Sequence, residues 1–477
     1  MEKKKQSNKN REFTVITYFF LFLFLAMMGY FVFFLTLKSE SFINSPYNSL
    51  QDLFSEHVIR GEIRSADGQI LAKTEVEEDG TEKRVYPYGR TFAHVVGFST
   101  NGKAGLEKQA NFQLLRSHAF FLEQIVNDVK GEKNIGDHVI TTLDCDMQSV
   151  AYDALSDYDG AVIVMEPSTG KILCMVSKPT YNPNTIDHDW EDIISGESSV
   201  LFNRATQGQY TPGSVFKIFT TLEYYRENKT TYNNYFFDCK GKFNFENKTI
   251  HCASNQSHGE ENLMDSFANS CNSSYASLAL EIDQDALQKL CNSLLFNTDL
   301  PIEFESGKSK VNVSNDMGYA AIMETGIGQG NTLVSPLHMV MLASAIDNDG
   351  ILMRPYLIDH TENYNGVLVS ENKPLEYGTF FSLDEVELLK TYMSAVVENG
   401  TAQKLSGQSY TAYGKTGTAQ VSDTTGQENS WFVGFASKEG YEDIAIAVVV
   451  EDFSSKSING VTVAKKIFDS YFTGGVY

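Results

Sequence analysis

The sequence lacks a basic surplus. Its 38 lysines and arginines stand against 61 aspartates and glutamates, a formal net charge of −23. Nucleic-acid binding needs clustered positive charge to displace phosphate counterions, so that class of partner is excluded. No C-x-x-C pair occurs among the six cysteines, and the nine histidines form no H-E-x-x-H cluster. Zinc-ribbon, thioredoxin-like and zinc-protease readings therefore have no support, and neither a metal site nor a cofactor is expected. No repeat of 20–50 residues recurs, which excludes solenoids and propellers, and there is no low-complexity linker. What remains is 477 residues at 42% hydrophobic content. That is apolar enough for packed cores and too long for one, so two or three domains are expected.

One long apolar run stands out. "TVITYFFLFLFLAMMGYFVFFLTL", Thr14 to Leu37, carries no charge. As a helix it would extend roughly 36 Å, enough for a hydrocarbon layer of about 30 Å. Lys3, Lys4, Lys5, Lys9 and Arg11 precede it and Lys38 is the close basic residue after it. The positive-inside rule then puts the N-terminus in the cytoplasm and the rest of the chain outside. The run is longer than the apolar region of a cleaved signal peptide, so it reads as a retained single-pass anchor. Outside the membrane a disulfide is permitted. Cys239 and Cys252 are the pair to examine, because closing their loop of roughly 14 residues would contribute about 3 kcal/mol. Free or buried thiols are the alternative.

Beyond the anchor, "RGEIRSADGQILAKTEVEEDGTEKRVYPYG" contains strand-like pieces with a solvated hairpin end at Asp79-Gly80. From about Asp144 the pattern changes. "GAVIVMEP" and "GKILCMVS" read as apolar strands joined across Ser168-Thr169-Gly170, and helices fill the middle of the chain. One begins with a capping box, Ser382 to Glu385. Three further strand candidates, "YGKTGTAQV", "SWFVGFAS" and "DIAIAVVVE", precede a final helix, "TVAKKIFDSYF". Strands at both ends with helices between them predict an α/β fold, one sheet flanked by helices. The short links among the last three strands favour antiparallel pairing.

The stretch "QYTPGSVFKIFT" places Lys217 three residues after Ser214, behind a Pro-Gly pair. Such a start also suits a serine helix cap. Ser-x-x-Lys recurs at Ser168–Lys171 and Ser370–Lys373, read as a hairpin turn and a surface loop. Downstream come Ser270-Cys271-Asn272 and then Lys415-Thr416-Gly417-Thr418. Ser-x-Asn is weak alone, recurring at Ser99 and Ser457, whereas Lys-Thr-Gly occurs once. The ordered set Ser-x-x-Lys, Ser-x-Asn, Lys-Thr-Gly belongs to penicillin-recognising enzymes.

With "RGEIRSADGQILA", "GLEKQ", "TTLDCDMQ", "GAVIVMEPSTGKILCMVS", "NRATQGQYTPGSVFKIFT", "SHGEENLMDSFANSCN", "GIGQGNTLVSPLHM" and "GKTGTAQ…SWFVGFA" in order, the chain resembles a class B penicillin-binding protein. The likeness covers most of the chain after residue 58. It departs at Ser65-Ala66, where the family has Asp-Arg, and in a short segment before the catalytic part. The resemblance implies a cytoplasmic tail (1–13), an anchor (14–37), a small, mainly β pedestal or dimerisation-like module (38–143) and a transpeptidase domain (144–477). It implies a monofunctional peptidoglycan D,D-transpeptidase acting on D-Ala-D-Ala stem peptides and acylated by β-lactams. A membrane glycosyltransferase of the shape, elongation, division and sporulation family is the implied partner. Carried over residue by residue, Ser214 is the acylated nucleophile and Lys217 its base. Asn272 holds Lys217 and the substrate amide, and Ser270 relays a proton to the leaving amine. Lys415 supplies charge for the terminal carboxylate, with Thr416 as a hydroxyl donor. Gly417 permits close backbone approach, and the N–H groups of Ser214 and Thr418 form an oxyanion hole. Cys271 reads as packing, as do Phe216 and Phe219, while Trp431 fits either the groove or the core. A β-lactamase or D,D-carboxypeptidase, and a non-catalytic penicillin sensor or scaffold, are the competing readings.

Overall fold

The computed structural model describes residues 2–37, 57–196, 198–420, 427–452 and 458–474. Lys38, residues 38–56 of the expected N-terminal module, the stray Ser457 and residues 475–477 lie outside the described residues. Helix α1 (Glu2–Leu37) is continuous, and its stretch Arg11–Phe34 is long and apolar enough to cross a membrane, with no protein packed against it.

The next elements are β1 (Ile63–Arg64), β2 (Ile70–Val76), β3 (Glu82–Val85) and β4 (His138–Thr141). The β2–β3 turn is fixed where Asp79 Oδ1 accepts from the Thr81 N–H at 2.9 Å, as the Asp-Gly signal predicts. Helix α2 (Cys145–Ala154) then leads to β5 (Gly160–Met165) and β6 (Ile172–Lys178). Helices α3 (Lys217–Glu227), α4 (Asn272–Glu281) and α5 (Pro336–Asp347) follow. The chain continues through β7 (Ile358–Glu362), β8 (Leu368–Glu371), α6 (Leu383–Glu398), β9 (Thr411–Gln420), β10 (Glu428–Ser437), β11 (Ile444–Val450) and α7 (Gly460–Thr473). The capping box on α6 is formed as expected.

Two sheets organise these pieces. The larger core surrounds a five-stranded antiparallel sheet in the order β9-β10-β11-β5-β6. Every residue of β5 and β11 is buried, because α2 and α7 pack on one face and α5 on the other. Helix α5 is itself buried from Pro336 to Ile346, which is why its apolar residues show no polar face. The second sheet has six strands in the order β8-β7-β4-β1-β2-β3. It draws strands from both sides of residue 144, since β7 and β8 complete the sheet that the N-terminal strands begin. Ser370 stands in β8, not in a loop, with its hydroxyl 2.7 Å from that of Thr361.

β9 is an edge strand of the five-stranded sheet. Its outer side is where the three motifs meet.

Candidate active site

Gly213–Phe216 forms a 3₁₀ turn that runs directly into α3 at Lys217. Ser214 is half-buried within this turn and is not a helix cap; Pro212 opens the turn without a side-chain cap. Side chains at i and i+3 eclipse in a 3₁₀ turn, so Ser214 and Lys217 still share one face. The turn lies hard against β9 because two side chains are missing. Gly213 has φ +53°, and a Cβ there would lie 2.5 Å from the Thr418 carbonyl oxygen. A Cβ on Gly417 would lie 2.7 Å from the Pro212 oxygen and 3.0 Å from Val215 Cγ2. Gly417 thus admits the nucleophile's own turn against the strand. Trp431 is fully buried, and its Nε1–H donates to the Thr211 oxygen at 3.1 Å, pinning the approach to the turn. It is a core residue, as are Phe216 and Phe219.

Lys217 is completely buried. Its ammonium donates to the Ser270 carbonyl oxygen at 2.6 Å and to Asn272 Oδ1 at 2.8 Å, with Ser270 Oγ at 3.4 Å. The Tyr275 ring centroid lies 5.1 Å away. Among the described residues, these close hydrogen-bond partners all belong to the Ser-x-Asn segment. Lys217 makes no hydrogen bond to Ser214 in this state, because the amine's donors are directed to Ser270 and Asn272. Burial pushes Lys217 down to about 8, so an appreciable fraction is neutral near physiological pH. Ser270 carries φ +57°, a left-handed backbone that turns its carbonyl toward the amine just before α4 begins.

Lys415, also fully buried, donates to Ser270 Oγ at 2.9 Å and lies 5.4 Å from the Phe267 ring centroid. Ser270 Oγ therefore stands between two amines. Burial, followed by the nearby charge of Lys217, holds Lys415 well below the ordinary lysine range. Two desolvated ammonium groups on either side of one hydroxyl each disfavour the other's charge, the direction in which both are shifted. Thr416 alternates to the opposite face of β9 from Lys415, where its hydroxyl lies 2.5 Å from that of Thr401. Thr418, exposed, follows on the Thr416 side. The Ser214 turn, Lys217, Ser270, Asn272 and Lys415 come together beside β9, while the Thr416 hydroxyl is engaged by Thr401 on the strand's other face.

Residues 160–472 match the family described as "Penicillin binding protein transpeptidase domain". The chain belongs to this family. Residues 60–139 match the "Penicillin binding protein A dimerisation domain". Peptidoglycan D,D-transpeptidase PbpA of Mycolicibacterium smegmatis is 30% identical over 417 residues, spanning 82% of this chain and 84% of that protein. The D,D-transpeptidase domain of a peptidoglycan glycosyltransferase from Eggerthella lenta superposes with a TM-score of 0.77 at 29% identity, covering 87% of this chain and 98% of that one. Penicillin-binding protein A from M. tuberculosis, solved as its penicillin G acyl-enzyme complex, gives 0.76 at 26% identity over 87% and 98% of the two chains.

This penicillin-binding protein also holds a group that its spacing concealed. Cys239, Cys252, His258 and Cys271 bring one donor atom each to within 4.8 Å of one another. Cys239 and Cys252 are free thiols with sulfurs 3.7 Å apart, not a bonded pair. Cys271, expected as packing, joins them at 3.7 Å from Cys252. The zinc motifs recognisable in sequence place ligands two to four residues apart. Here twelve residues separate the first two cysteines, and twelve more separate His258 from Cys271. The readable signal was three of six cysteines falling within residues 239–271.

Proposed function

We propose that this chain cross-links peptidoglycan stem peptides as a D,D-transpeptidase, through an acyl-enzyme on Ser214. The observation that carries the reading is a fully buried amine at Lys217, lowered by that burial to about 8, sharing a face with Ser214 and held by Ser270 and Asn272. Ser214 Oγ attacks the carbonyl between the two D-alanines while Lys217 takes its proton. The oxyanion forms against the Ser214 and Thr418 N–H groups, where losing one donor typically costs about 100- to 1,000-fold. Ser270, in contact with both amines, passes a proton to the departing D-alanine. Lys415 supplies positive charge for the terminal carboxylate, a neighbouring anion that favours its protonated form against the burial that lowers it. An amine from a neighbouring stem then attacks the ester and regenerates Ser214. A β-lactam acylates the same oxygen, but its ring keeps the leaving nitrogen tethered in the site.

Residues 144–477 carry this chemistry in the proposal, with 38–143 as its pedestal, α1 as the anchor and the N-terminus in the cytoplasm. The resemblance to monofunctional transpeptidases supports a membrane glycosyltransferase of the shape, elongation, division and sporulation family as the proposed partner.

The full-length chain in detergent, mixed with penicillin, is expected to gain one adduct that persists for hours and maps to the Ser214 peptide. Rapid loss of the adduct with drug turnover would make it a hydrolase. Failure to acylate would sink the enzyme reading in favour of a scaffold. The acylation rate is also expected to rise with pH and level off above about pH 8. Lys217 acts only when neutral, and roughly 1% of it is neutral at pH 6. A rate flat between pH 6 and pH 9 would remove Lys217 as the base.

A further inference from the structure

We propose that Cys239, Cys252, His258 and Cys271 form a structural zinc site that positions the catalytic Ser270–Asn272 turn. A Zn–S length of about 2.3 Å at a tetrahedral angle sets sulfurs about 3.8 Å apart, and a Zn–N length of about 2.0–2.1 Å sets nitrogen about 3.6 Å from sulfur. The observed separations are 3.7 Å for Cys239–Cys252, 3.7 Å for Cys252–Cys271 and 3.4 Å for Cys239 Sγ to His258 Nδ1. Three thiols and one imidazole are a complete tetrahedral set for a closed structural site.

Each sulfur also has its own polar neighbour. The Gly241 N–H donates to Cys239 Sγ and the Ser274 N–H to Cys271 Sγ, both at 3.4 Å, and the Ser273 hydroxyl lies 3.1 Å from Cys252 Sγ. One donor per sulfur is the surrounding that thiolate ligands require. The Glu261 carboxylate stands 4.0 Å from His258 Nδ1 and is itself held by Asn269.

Apart from the cluster, half-buried aromatics hold the local fold: Phe237, Phe243 and Phe245 pack in a row that ends on Tyr319. Between Phe237 and Glu261 the chain makes only short strands: Phe237–Cys239, Lys242–Phe245, Lys248–His251 and Gly259–Glu261. Its buried residues include Cys239, Ile250, Cys252 and Glu261, with no large apolar side chain fully enclosed. A segment that small is commonly stapled by a metal in place of a core.

The connection to the site is covalent. Cys271 lies between Ser270 and Asn272, whose oxygens hold Lys217. Asn272 Nδ2 donates to the oxygen of His251, the residue before Cys252, at 3.0 Å. A metal bridging Cys252 and Cys271 therefore clamps both ends of that hydrogen bond and the left-handed turn at Ser270. The four ligands are positioning residues; none touches substrate.

The test is elemental analysis of the full-length chain purified in detergent without added metal, followed by exchange with Co²⁺. About one zinc per chain is expected. The cobalt form should show thiolate charge-transfer absorption and the strong visible bands of a tetrahedral site. Cys252→Ser should lower zinc affinity at least about tenfold and slow penicillin acylation, while Cys145→Ala, outside the cluster, should leave both unchanged. Should Cys252→Ser fail to fold, the wild-type zinc content and cobalt spectrum still decide. A metal-free chain whose thiols all react, or one about 2 Da lighter from a disulfide within the cluster, would overturn the site. The metal measurements do not depend on acylation, so a zinc-loaded chain inert to penicillin would keep the site and discard the transpeptidase reading.

Discussion

Lys217→Ala is expected to slow penicillin acylation by about 1,000-fold or more, within the range that a general base contributes. Ser214 is no better a nucleophile than any serine unless its proton has somewhere to go. The amine can receive that proton because burial has brought it down to about 8, while Asn272 and the Ser270 carbonyl hold it in place. Lys217→Arg is expected to be as inactive as the alanine variant, since a guanidinium stays charged and cannot accept a proton. Acylation kinetics by intact-protein mass spectrometry, beside thermal unfolding, make the comparison. A Lys217→Arg protein that folds normally and acylates within about tenfold of wild type would show that the charge at this position matters, not its basicity.

What the sequence made legible follows from how the chemistry is built. Ser214 and Lys217 had to be near neighbours on one turn, and Lys415 to Thr418 had to lie on one strand, so each group left a contiguous signature. The sheet was legible for a similar reason: β5, β10 and β11 are buried and apolar along most of their length. Strands β7 and β8 were not, because "IDHTE" and "LVSE" are short and largely polar or exposed and gain their place by pairing, β7 with β4 and β8 with β7. Nor was the cysteine–histidine cluster, whose members are joined by tertiary folding across a hairpin and a helix start. The Ser65-Ala66 departure is accommodated locally. Ser65 Oγ accepts from the Gln69 N–H at 2.9 Å, and its own N–H donates to the Gln69 oxygen at 2.9 Å, closing the turn without an acidic side chain.

Glu107→Ala is expected to destabilise the N-terminal sheet by about 3–5 kcal/mol, the usual consequence of removing one partner from a buried ionic group. Glu107 has no solvent exposure. Its two carboxylate oxygens accept from Arg60 Nε at 2.6 Å and Arg84 Nε at 2.7 Å. Arg60 also donates to Asn111 Oδ1 at 2.5 Å, and Arg84 Nη1 to the Gly61 oxygen at 2.7 Å. "RGEI", "EKRVY" and "GLEKQ" are thereby locked together by charge across three separate segments, a structural reason for the first and third to read as motifs away from Ser214. Burial pushes the carboxyl up, but the two guanidinium groups prevail and hold Glu107 below the ordinary carboxylate value. Its contribution is therefore fully present above that value and is lost as pH falls through the depressed one. Without Glu107, two guanidinium groups remain in a site with no carboxylate to answer them. Limited proteolysis of the full chain should then show faster cleavage between residues 60 and 140 and a lower unfolding temperature, with Glu107→Gln no better than partly restored. Since the triad lies apart from the β9 edge, the protein that remains folded should acylate at the wild-type rate. Unchanged protease resistance in Glu107→Ala would mean that the sheet's apolar face, not this charge triad, holds the module together.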